Sequence, residues 1–505
     1  MSDSSENSPD FSGSTVGQTK MVCDPSNPPE CYVSFRPKKN WYGEYGFDWL
    51  REGDFPITAA DGGVLSKLNL KFEDIVGYHT KLNPTTGVNE VFNPDAEYGL
   101  MSLTTPFTPD AVLYSYLRND YMPSDIYINN SPVTTYTSFL SIFRKEDDAA
   151  SPKKDADIIA KVYINPAQPP PDEIILDYNT SLLSITPALT VSGTLDAPSE
   201  QSINVKCLTT FENDQLVVVK SKKTDDCGIP QFQVIGNLQV MANARSKRKI
   251  QRVMIVSVTT PDIVSAAPDP ALNLVGQLNS GELDLFTKFL HQALIDPVLD
   301  GDAIPLDLSG ETDFKTKYTS NGYVILSGGT NNVIPYLKQK TKDYLTRRND
   351  SRLAHVDDAS YKIAYYFGAK IGGIYQNPTR VEAYGGLRLP NTNVFVMGPN
   401  KFENCLPHEF LHALELPHTF TPSPFSADAL YTYRFGNTDN VMDYSYSVQG
   451  AGYSKCGFSL YKWQWAIAQS NCQDEPAPPP NAPGTPGSTP GPDGFHLEIL
   501  GYKIF

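Results

Sequence analysis

Histidine is scarce in this chain, seven residues in 505, and cysteine is equally rare. Apolar residues never run to the eighteen or so in a row that a membrane helix needs, so no helical membrane span is expected. Seven cysteines are odd in number and too thinly spread for a disulfide-built scaffold. Basic residues are also in deficit, 41 Lys and Arg against 57 Asp and Glu, for a net charge of −16. That balance argues against nucleic acid and against anionic membrane as partners, since both reward basic surfaces. The N-terminus, MSDSSENSPDFSGSTVG, lacks the charged and apolar regions of a secretory signal and is expected to be a disordered tail.

What is present falls into stretches of different character. A chain of 505 residues exceeds a single core, so several domains are expected. The tail occupies 1–20, and an aromatic- and turn-rich domain is expected over 21–150, with Trp41, Tyr42, Tyr45, Phe47 and Trp49 packing as core. Between 151 and 232 short β-prone runs (IIAKVYI, EIILDY, LTVSG, INVKCLT, LVVVK) recur about every ten residues, the spacing of a small β-sandwich.

From 233 to 473 strands and helices alternate. VMIVSV (253–258), YKIAYYF (361–367) and NVFVMG (393–398) read as strands. Asn279 and Glu282 form a capping box for a helix whose face carries Leu283, Phe286, Leu290 and Leu294 and which Pro297 stops. Further helices are expected from Val333 to about Thr346 and from Ser459 to about Ser470. Gly385 to Leu389, with Pro390 after it, suits an edge strand. A Pro/Gly-rich linker (474–493) and one terminal strand (494–505) follow.

Against this background three of the seven histidines lie close together, in His408-Glu409-Phe410-Leu411-His412 and at His418. Residues four apart share one helix face, so His408 and His412 can aim at a single ion. A catalytic zinc takes three protein ligands and keeps one open position, and His418 supplies the third if the chain turns back. Pro417 is expected to end the helix first. Glu409 then stands beside a metal-activated water as general base. His79, His291, His355 and His496 read as ordinary surface or loop residues.

Downstream comes Asn440-Val441-Met442-Asp443-Tyr444. With it, the chain resembles the metzincin zinc metalloproteases, whose motif HExxHxxGxxH is followed by a turn containing methionine, and it looks most like their pappalysin-like branch. The resemblance implies an α+β fold: a metzincin-like catalytic domain with a twisted mixed sheet, an active-site helix and a Met-turn, preceded here by β-rich domains. It implies zinc bound by His408, His412 and His418, Glu409 as general base, Met442 as the floor beneath the ligands and Tyr444 as a hydrogen-bond donor to the oxyanion. The family's glycine position is Glu415 here, which implies a strained or differently shaped turn before His418. Cys227-Gly228-Ile229-Pro230 resembles the CGxP core of the matrixin cysteine switch, with Asp225 and Asp226 where that family carries proline and arginine. Latency through Cys227 is one reading; a turn, or a bridge to Cys207, is the other.

The expected activity is hydrolysis of peptide bonds in a protein or peptide substrate. A protease of this kind is normally exported, so a removed signal or a non-classical route such as an injection apparatus is expected, with the N-terminal domains free to bind a delivery apparatus or partner. Rival readings are a non-catalytic zinc protein whose N-terminal β domains carry the function, and a zinc hydrolase acting on a non-protein amide. In an oxidising compartment Cys23–Cys31 and Cys207–Cys227 are plausible pairs, and Cys405 could pair with Cys456 or Cys472. The basic run Arg245 to Lys249 reads as a processing site or a solvated loop.

Overall fold

The computed structural model describes residues 29–55, 70–94, 105–145, 155–225, 227–261, 263, 273–327, 332–374, 381–388, 392–399, 401, 404–444 and 457–476. The expected tail, Cys23, Cys456, His496, nearly all of the linker and the C-terminal strand lie outside the described residues. The fold is mixed α+β and rich in sheet. Among the described residues no helix is long and apolar enough to cross a membrane.

The first half of the chain forms two facing sheets. One orders Cys31–Pro37, Asp155–Ile164, Ser199–Cys207 and Leu183–Thr186. The other orders Glu173–Asp177, Gln215–Thr224, Pro230–Val240, Ser138–Ser141 and Gly46–Asp48. The recurring strands read from sequence are therefore joined by three from the N-terminal segment, and the last long strand runs on to Val240. LTVSG is not a strand: it is an irregular segment in which Thr190 and Ser192 hydrogen-bond Gln201 and Ser199 and Gly193 takes a positive φ. The paired strand is Leu183–Thr186, just upstream. The five aromatics at 41–49 are all buried, as core.

The second half is organised by the strand Lys249–Pro261. It runs parallel to Ile295–Leu299, Ile304–Asp307 and Tyr361–Phe367, while Val394–Met397 continues the sheet and Gly386–Arg388 closes it as an antiparallel edge. Strand geometry sends alternate side chains to opposite faces, and both faces here are covered. Val253, Ile255, Ala364, Tyr366, Phe395 and Met397 join one buried cluster; Met254, Val256, Val258, Ile363, Tyr365, Val394 and Val396 join another. Helix Val333–Arg348 covers the second face. On the first lies helix Ser280–Gln292, opened by the expected Asn279–Glu282 capping box, and it packs Phe286 edge-on against Phe410 at 4.6 Å between ring centroids. That helix ends at Gln292, and Pro297 sits inside the following strand.

The first cluster is continuous from Cys31 to Ala468, so the N-terminal segment shares one core with the histidine helix. Within it lies a buried charge network. Arg51 hydrogen-bonds Asp48 and, at 3.0 Å, Asp439, and its guanidinium stacks 3.8 Å from the Trp49 ring centroid. Asp48 also accepts Tyr121 Oη–H and the Lys462 backbone N–H, and Asp439 accepts Tyr461 Oη–H. Breaking a buried ion pair by removing one partner strands the other charge, so Arg51→Ala is expected to destabilise the protein by about 3–5 kcal/mol. Chemical denaturation measures this; a loss below about 1 kcal/mol would show that water screens the network.

Candidate metal centre

The helix Cys405–Ala413 is almost wholly buried, Leu406, Phe410, Leu411 and Ala413 among the core. It ends four residues ahead of Pro417, so the proline is not what stops it. Glu415 takes the left-handed conformation, φ 65°, while Glu415 N–H bonds His412 O and Leu416 N–H bonds Leu411 O. These two bonds are the Schellman pattern, with Glu415 in the place glycine usually holds. The chain thus leaves the helix through a left-handed residue, and the Glu415 side chain is engaged by the Arg388 guanidinium.

The exit brings His418 back over the helix. His412 Nε2 lies 3.0 Å from His418 Nε2, and His418 Nε2 lies 3.3 Å from His408 Nε2. His408 Nδ1 faces Val441 O and His412 Nδ1 faces Leu416 O, each at 2.7 Å. A carbonyl can only accept, so both Nδ1 atoms carry the proton and both Nε2 atoms present lone pairs. A single proton on His418 Nε2 could point at one of them; a cation serves all three. Among the described residues this is the cluster with metal-ligand geometry. Burial and the neighbouring imidazoles hold His412 well below the usual histidine range, the neutral state a metal ligand needs.

The turn at 440–444 is built against these rings. Met442 is fully buried; its carbonyl accepts Thr419 N–H, next to His418, as Val441 O takes His408. Asp443 fixes the turn by accepting Gly436 N–H, Thr438 N–H, Thr438 Oγ–H and Tyr444 N–H, at 2.7–2.9 Å. Burial pushes its carboxyl up to about 6. Asn440 pairs with the buried Gln464 at 2.6 Å. The Tyr444 ring lies 4.7 Å from that of His418 and 5.3 Å from that of His408, and Phe420 stacks on His418 at 4.7 Å.

Glu409 is buried beside His408, and its carboxylate accepts Arg388 N–H from the edge strand at 2.8 Å. Burial pushes its pKa up to about 7. The strand passes this close because Gly386 has no side chain: a Cβ there would stand 2.6 Å from Glu409 Cγ and 2.9 Å from Cys405 Sγ. Sequence reasoning missed Arg388 as a site residue, although the adjacent glycines of the edge strand were a signal of close approach.

Other expectations need correction. Cys227 is disulfide-bonded, while Cys31, Cys207, Cys405 and Cys472 are thiols. A sulfur in a disulfide offers no thiolate, so latency through Cys227 does not operate in this state, and none of the expected pairs Cys207–Cys227, Cys23–Cys31, Cys405–Cys456 and Cys405–Cys472 forms. The segment is a turn in which Asp225 accepts Cys227 N–H and Ile229 N–H. The basic run is a short exposed turn at Ser246 and Lys247, but Arg248 within it is fully buried, bonded to Arg144 O, Asn243 O and Glu475. His79, read as an ordinary surface or loop residue, is buried in strand Gly77–Leu82. No family model and no curated protein matches the chain.

Because Glu415 is strained only by its backbone conformation, Glu415→Gly is expected to be tolerated, its relief of roughly 1 kcal/mol offsetting the lost ion pair. Glu415→Val is expected to lose both stability and metal affinity. Melting temperature and metal titration check the pair; equal affinity in the two variants would contradict a backbone role.

Proposed function

We propose that this chain is a zinc-dependent endopeptidase of metzincin type. The observation that carries the reading is the convergence of three imidazole Nε2 atoms beside a buried glutamate of the same helix. Zinc suits the donor set: three nitrogens 2.0–2.1 Å from one tetrahedral ion lie about 3.3–3.4 Å apart, close to the 3.0 and 3.3 Å seen here. A structural zinc closes its shell with a fourth protein ligand. The buried Glu409 beside the three imidazoles is the feature that favours a catalytic site over a structural one.

Zinc, when bound, supplies a lowered water pKa and a polarised scissile carbonyl. Glu409, buried beside His408 and held by Arg388 N–H, accepts the attacking water's proton and delivers it to the leaving amine. Tyr444, packed on the His418 and His408 rings, donates a hydrogen bond to the developing oxyanion. Met442 contributes packing. An extended peptide substrate adds to the edge strand Gly386–Arg388, whose close approach to Glu409 sets the scissile bond beside the base. The expected setting is outside the producing cell, where a protein substrate is met.

Hydrolysis of a denatured protein by zinc-loaded wild type and by Glu409→Ala, with cleavage sites read by mass spectrometry, tests the reading. Glu409→Ala is expected to keep its zinc and lose at least about a hundredfold in rate; a nearly active variant would sink the mechanism. His418→Ala is expected to lose most of its zinc at micromolar protein, and unchanged metal content would remove His418 from the ligand set. A wild type whose metal binds peptide hydroxamates yet that cleaves no protein would instead favour a non-protein amide as substrate.

A further inference from the structure

His79 lies far from the zinc motif in sequence, yet it is bound to the wall of the site. It is 1% exposed, on strand Gly77–Leu82, with its ring edge-on to Phe107 at 5.1 Å. Nδ1 faces Pro106 O at 3.2 Å, which places the proton there, and Nε2 accepts the backbone N–H of Phe435 at 2.9 Å. Burial holds its pKa down to about 4, so the ring is neutral and Nε2 is a standing acceptor.

The bond is one of a series. Gly77 N–H donates to Thr432 O, Arg434 N–H donates to Ile75 O, and Val76 bridges Tyr433. The strap 75–79 therefore pairs with 432–435 from outside. From inside, Tyr433 N–H donates to Thr419 O, beside His418. The Phe435 ring lies 4.9 Å from Phe420 and 6.2 Å from Tyr444. Phe420 in turn stacks on His418 within 9° of parallel.

We propose that His79 is a positioning residue of the metal centre, acting through the Phe435 backbone to set the aromatic wall that orients His418 and Tyr444. It touches neither substrate nor metal. Losing its acceptor leaves a buried N–H unsatisfied, which the segment relieves by moving, and the wall moves with it. The activity arm of the proposal rests on the endopeptidase reading; its spectroscopic arm does not.

The test compares two variants of the full chain. His79→Gln keeps an acceptor where Nε2 stands; His79→Asn keeps the donor to Pro106 and removes that acceptor. Each is loaded with cobalt(II), whose visible absorption reports ligand geometry, and each zinc form is assayed on a peptide. His79→Gln is expected to match the wild-type cobalt spectrum and to stay within about threefold in kcat. His79→Asn is expected to shift the spectrum and to lose about tenfold or more in kcat with KM nearly unchanged, as a small misplacement of catalytic groups does. Equal behaviour of the two variants, both wild-type or both impaired alike, would overturn the proposal. If His79→Asn does not fold, Phe435→Ala must give the same cobalt shift, and a wild-type spectrum there overturns it too. Wild type that takes up cobalt but cleaves nothing contradicts the endopeptidase reading alone, since the spectra still decide the role of His79.

Discussion

Three imidazole nitrogens converge, His418 Nε2 lying 3.0 Å from His412 Nε2 and 3.3 Å from His408 Nε2, and at least two of them present lone pairs that a shared cation would satisfy together. Everything around them serves to hold that arrangement. The tautomers are fixed by two backbone carbonyls, Val441 O and Leu416 O. Those carbonyls belong to the two stretches that must be in place, the turn after the helix and the methionine turn. The first is set by a Schellman cap on Glu415, the second by the buried carboxylate of Asp443 and the Asn440–Gln464 pair.

The N-terminal segment is part of the same support. Arg51 reaches from it to Asp439, one residue before Asn440, and the strap 75–79 pairs with 432–435. A buried ion network of this kind is weak evidence for net stability, because desolvation offsets the attraction. It is better understood as fixing one geometry among several that an apolar core would allow. Removing the first half of the chain would strip the methionine turn of its partner charge and would open the core that runs from Cys31 to Ala468.

Legibility in the sequence followed the range of the forces involved. Strand Tyr361–Phe367 and the capping box at Asn279 were readable because period and cap chemistry are local. The grouping of His408, His412 and His418 was readable because it is set by spacing within eleven residues. The helix exit was half read: the strained turn expected at Glu415 is there as a left-handed residue, whereas Pro417 is not what ends the helix, and the Arg388 contact to Glu415 comes from a strand twenty-seven residues upstream. The three N-terminal strands in the sandwich were invisible for the same reason: pairing Cys31–Pro37 with Asp155–Ile164 is a long-range choice made by shared burial. His79 passed as ordinary because a buried histidine is revealed only by what it touches.

X-ray absorption at the zinc K-edge of the purified wild-type protein tests the central claim most directly, since it reads the ligands without requiring activity. One zinc per chain with three imidazole nitrogens at about 2.0–2.1 Å and one further oxygen at about 2.0–2.2 Å is the predicted result. Sulfur in the first shell at about 2.3 Å, or a protein that holds no stoichiometric zinc after equilibration, would contradict it.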